Sequence, residues 1–124
     1  MLVVLSIPAA QAQTPGQIPY DSPQEASVAL NKDPNAKLTR NGDGWQTVHV
    51  SQGPNEGIWS FVPQSHPAFP GVVKLQVLEK DGHLFIAKDA LCGGSKIVCD
   101  QLIQESTRLN ERIVKDAIDK RRGQ

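Results

Sequence analysis

Val72-Val73-Lys74-Leu75-Gln76-Val77-Leu78-Glu79-Lys80-Asp81-Gly82-His83-Leu84-Phe85-Ile86-Ala87-Lys88 is the stretch that decides the fold. Two runs rich in β-formers flank Asp81-Gly82, and a two-residue Asp-Gly connection supplies the backbone that a tight hairpin turn needs. The implied register pairs Glu79 with Leu84 and Val77 with Ile86. Val73, Leu75, Val77, Leu84 and Ile86 then share one face, because strand side chains alternate. Leu78 and Phe85 lie on the other face, so both sides of the hairpin need cover.

Upstream, the pattern stays β. Lys37 to Arg40 and Trp45 to Val50 are separated by Asn41-Gly42-Asp43-Gly44, residues that favour turns. Val48 and Val50 face one side of their strand, and Trp45, Thr47 and His49 the other. Ile58 to Val62 is a further strand, with Ile58 and Val62 opposite Trp59 and Phe61. Between Pro63 and Gly71 three prolines remove backbone donors, which excludes a central strand there. Ser22-Pro23-Gln24-Glu25 reads as a helix start: N-cap, proline at the first position, acid in the first turn. That helix should end by Asp33, ahead of Pro34.

Downstream, Gly93-Gly94 precedes Ser95, a candidate N-cap. Cys99, Leu102, Ile103, Ser106, Leu109, Ile113 and Ala117 then recur at helical spacing. Run on to Arg121, such a helix is about 40 Å long, longer than a small sheet is wide, so its last turns are expected to project. The fold expected is therefore α+β: an antiparallel sheet of about four to five strands, with a short N-terminal helix and a long C-terminal helix packed on one face.

At 124 residues the chain has room for one domain. Lys plus Arg equals Asp plus Glu at 13 each, which argues against a polyanion binder dependent on counterion release. No nucleic-acid partner, membrane span, metal or cofactor is expected. Leu2 to Pro8 is a short apolar run, and Ala10-Gln11-Ala12 has the small-x-small form that a signal peptidase accepts. Residues 1–12 thus read as a signal peptide cleaved after Ala12, 13–22 as a flexible lead-in, and 23–124 as one α+β domain. The first basic residue is Lys32, so the basic leader of such a peptide is expected upstream of Met1. A periplasmic or secreted location follows.

In that compartment two cysteines normally join. Seven helical residues would hold Cys92 and Cys99 about 10 Å apart, beyond disulfide reach. Gly93-Gly94 lets the chain turn back first, so a Cys92–Cys99 staple is expected between the last strand and the helix. There is no Cys-x-x-Cys motif, and His49, His66 and His83 match no zinc spacing.

No nucleophile elbow, phosphate loop or metalloprotease helix occurs, so no residue is assigned a catalytic role. The chain reads as a small exported protein, non-enzymatic and binding a partner such as another envelope protein. Aromatic residues mostly fill cores; the functional alternative is a partner-binding face of Trp45, Trp59, Phe61, His66 and Phe69. Two further readings stand beside it. One is an envelope enzyme using a His/carboxylate acid–base pair. The other is a structural subunit forming a homodimer through its C-terminal helix.

Overall fold

A computed structural model describes residues 15–123 of the protein. The signal-peptide segment and its cleavage after Ala12 lie outside the described residues. Eight elements follow in order: α1 (Pro23–Asn31), β1 (Ala36–Arg40), β2 (Gln46–Val50), β3 (Gly57–Phe61), β4 (Gly71–Lys80), β5 (His83–Cys92), α2 (Lys96–Leu109) and α3 (Glu111–Arg122). The five strands form one antiparallel meander in sequence order, so the architecture is α+β.

Local chemistry sets the element ends. Ser22 caps α1 by accepting from the Glu25 amide at 3.1 Å, with Pro23 in the first turn. Ser95 caps α2 by accepting from the Val98 amide at 3.3 Å. Asp81 (φ 53°) and Gly82 (φ 82°) make the hairpin turn with both central residues left-handed. The expected register holds: Glu79 faces Leu84 and Val77 faces Ile86. The strands run on to Cys92, longer than the apolar pattern alone implied.

The sheet is covered on both faces. One face packs Val48, Val50, Trp59 and Val72 against Ala26 and Leu30 of α1 and against Ile18. The other packs Trp45, Ile58, Val73 and Leu75 against Leu102 of α2 and Ala68 of the proline-rich loop. α1 and α2 therefore lie on opposite sides of the sheet rather than together.

The lead-in expectation for residues 13–22 is corrected across its described part. Gly16 and Ile18 are buried, and the Pro15–Tyr20 segment is strapped across the sheet. The Gly16 amide donates to Gln76 Oε1 at 3.0 Å, and the Ile18 amide to Asp89 Oδ2 at 2.8 Å. Any Cβ on Gly16 would sit 2.4 Å from that of Ala87, at a φ of +86°, so close approach and backbone both require glycine.

The single long C-terminal helix is also corrected. It breaks at Asn110, whose φ and ψ of −105° and 12° are not helical. Asn110 is buried, and its side-chain amide donates to Ser60 Oγ at 2.8 Å and to the Ser106 carbonyl at 2.9 Å. A side chain that binds both the preceding helical turn and the sheet bends the chain there. α3 then continues along β4, bent onto the sheet instead of projecting, and Arg121 Nη1 donates to the Val77 carbonyl at 2.8 Å. The bend shifts the apolar stripe: Leu109 is 50% exposed and Ile113 37% exposed, while Val114 packs on the core.

Candidate functional site

The proposed aromatic face does not assemble. In the β2–β3 register Val48 faces Trp59, so the two share a face, while Trp45 lies on the opposite side with Ile58. The expectation matched the aliphatic side of β2 to that of β3; the register matches it to the aromatic side. Both indoles are core residues, with Trp59 0% and Trp45 5% exposed. Phe61 packs beside Trp59. Of the five residues only Phe69 is substantially open, at 45%. It lies in the loop between β3 and β4, where the Phe69–Pro70 bond is cis.

His66 anchors that loop. Its Nε2 lies 2.8 Å from Glu105 Oε1 on α2, and its Nδ1 accepts from the Ala68 amide at 3.0 Å. An acceptor at Nδ1 leaves Nε2 as the protonated nitrogen, donating to the carboxylate. The ring meets Trp45 edge-on, with centroids 5.4 Å apart. A His–carboxylate pair therefore exists, but each ring nitrogen is spent on holding the loop to α2. Neither is turned to an incoming proton, which an acid–base role requires. His49 is exposed on β2 and His83 is exposed at the start of β5.

Cys92 and Cys99 are joined, with Cα atoms 5.6 Å apart. Gly94 (φ +113°) makes the turn that brings the first turn of α2 back to β5. The bond fixes the end of α2 nearest the His66 loop, since the Gly93 amide donates to Pro70 and Ala68 carbonyls at 2.7 and 3.2 Å. The staple and the histidine thus clamp the same corner.

A buried cation lies on the α1 face. Lys74 is 2% exposed, with Nζ 5.1 Å from the centre of the Trp59 ring and 3.3 Å from the Gln17 carbonyl oxygen. Asp89 is its cross-strand neighbour. Burial lowers the Lys74 ammonium below the usual lysine range, while Asp89 and then Glu56 pull it back up. The sequence reading passed over Lys74, Gln76 and Asp89. The signal was present for two of them: Lys74 and Gln76 each stand on a strand position with apolar residues on both sides.

A trough of about 520 Å³ lies between α3 and the sheet. Its floor includes Ile58, Leu75, Val77 and Ile86, and its helical wall Ile113, Val114 and Ala117. His49, Glu56, Asp116, Lys120 and Arg121 stand at the rim, so both signs of charge border an apolar base. α3 is held at its two ends, by Asn110 on Ser60 and by Arg121 on Val77, and none of its residues is fully buried. A helix that packs on the core through Val114 but buries no residue fully leaves the apolar sheet beneath it partly uncovered. None of these lining residues belonged to the expected site, because the sequence reading ran the helix straight past the sheet.

Among the described residues no helix is long and apolar enough to cross a membrane. Comparison of the chain with family models, with curated proteins and with solved structures finds no match.

Proposed function

We propose that the protein is a small exported binding module without catalytic chemistry, which holds an apolar side chain of a partner, such as another envelope protein, in the trough beneath α3. The trough carries the reading. Its volume of about 520 Å³ falls within the range of about 300–1,000 Å³ typical of ligand clefts. An apolar base with a few polar groups at the rim is the usual anatomy of such a cleft. Rim charges of both signs suit a peptide segment better than a polyanion. The Cys92–Cys99 bond supports an oxidising, extracytoplasmic compartment. The acid–base alternative draws little support from His66, whose two ring nitrogens are already engaged.

The test is titration of isotope-labelled protein with short peptides rich in Leu and Phe, followed by amide chemical shifts. The expected outcome is a set of shifts confined to Val77, Ile86, Ile113 and Ala117, lost in Ile113→Lys. Shifts scattered over the surface, or retained in Ile113→Lys, would overturn the proposal.

A further inference from the structure

We infer that the free edge of β5 pairs with the same edge of a second copy, joining two five-stranded sheets into one antiparallel sheet about a two-fold axis at Ile86. β5 is an outer strand of the sheet and runs for 10 residues. The phase of its hydrogen bonding is fixed independently at two places. The Gly93 amide donates to the Pro70 carbonyl, which continues the β4 ladder and assigns odd-numbered residues of β5 to it. The Ala90 amide instead turns to its own neighbour, Asp89 Oδ1, at 2.9 Å. The backbone groups of Leu84, Ile86 and Lys88 therefore point outward, and no described residue pairs with them.

The two edges of the sheet are unlike. β1 is 5 residues long and carries Lys37 and Arg40, the short, charged form that resists strand addition. β5 presents Leu84-Phe85-Ile86-Ala87 in succession, with Phe85 43% exposed. A long apolar edge is the kind that templates another strand.

The side chains select the register. Outward-facing residues must meet outward-facing residues, so the registers available place one of a few residues on the axis. Lys88 on the axis opposes two ammonium groups. Ala87 on the axis sets Phe85 against Asp89. Phe85 on the axis sets Asp81 against Asp89. Ile86 on the axis pairs Leu84 with Lys88 through hydrogen bonds, Phe85 with Ala87, and His83 with Asp89, a donor against an acceptor, twice. Ala90, already capped by Asp89, falls outside the paired segment. The partner is thus a second copy of this chain, and the paired surface is the backbone edge of β5, which shares with the trough only the side chain of Ile86.

The experiment uses the full chain with its disulfide. Sedimentation velocity across a concentration series is expected to show reversible doubling of mass. Lys88→Pro removes an outward donor while leaving the β4 ladder intact, and is expected to keep the protein monomeric with an unchanged circular dichroism spectrum. Ile86→Cys places two thiols across the axis with Cα atoms about 5.5 Å apart, within disulfide reach. Mild oxidation is expected to give one crosslinked dimer, which Leu38→Cys on β1 does not. A mass that stays monomeric at all concentrations together with no Ile86→Cys crosslink overturns the inference. A dimer that survives Lys88→Pro and fails to crosslink through Ile86→Cys overturns it equally, and assigns the contact to another surface.

Discussion

The two faces of the sheet are built on different rules. The face under α2 and α3 is apolar from Ile58 through Val73 to Leu75, and its polar residue Ser60 stands where the helix breaks at Asn110. The face under the strap carries Lys74, Gln76 and Asp89, and each of them bonds to backbone of residues 16–18. A helix satisfies its own amides and carbonyls, so the sheet beneath it is free to be apolar. A strap in irregular conformation does not, and the sheet must answer its backbone groups. Lys74, Gln76 and Asp89 therefore trace where the covering chain is not helical.

Substitutions can break that contrast, and they rank by the size of effect expected. Trp59→Ala empties the centre of the strapped face and removes the ring beneath Lys74. A loss of about 3–5 kcal/mol is expected, read from the urea midpoint of unfolding, and a smaller loss from Val73→Ala on the other face. Reducing the Cys92–Cys99 bond should cost about 2–3 kcal/mol in the chain-entropy model, measured as a fall in midpoint on adding reductant. It should loosen the α2 corner while leaving amide exchange of Ile18 slow.

Gly16→Ala adds a methyl against Ala87 at a left-handed φ, and a loss above about 1 kcal/mol is expected. Fast exchange should appear at the Gly16 and Ile18 amides while α2 amides remain protected. Ser60→Ala removes one acceptor from Asn110 but leaves Ser106, so about 1 kcal/mol is expected, read in the same midpoint.

The smallest effect is in pH. Burial lowers the folded-state pKa of Lys74 beneath its unfolded value of 10.5. Between those two values the unfolded chain binds more protons, so stability should rise with pH there and level off above 10.5. Midpoints measured from neutral pH upward check this, and Lys74→Met should remove the rise. A fall in stability over that range, absent in Lys74→Met, would reverse the assignment.

Much of the sheet could be read from residue order because its signals are local. Asp81-Gly82, the alternation around it, Ser22-Pro23 and Gly93-Gly94-Ser95 each act within a few positions. What escaped needed a partner far along the chain. The period through Leu109, Ile113 and Ala117 looks unbroken, and only Ser60 beneath it makes Asn110 a bend. Trp45 and Trp59 looked alike in strand phase, and only the β2–β3 register separates them. Lys74 carries no mark of its partners in its own neighbourhood, and only the distant Gln17 and Trp59 make it a buried cation. The trough inherits the same difficulty, since it exists only because the bend at Asn110 lays α3 over the sheet.

The strap has a temporal consequence. Its bonds join residues 60 and 71 positions apart, whereas each turn of the meander closes over neighbours. Contacts at such separation form late in folding. A chain emerging from its N-terminus, whether from a ribosome or through a translocon, delivers Gly16 and Ile18 first and Asp89 long afterwards. Through that interval the strap is an apolar leader without a seat, and Trp59 waits uncovered for it. The β4–β5 hairpin is thus also the clock by which Gly16 and Ile18 find their place.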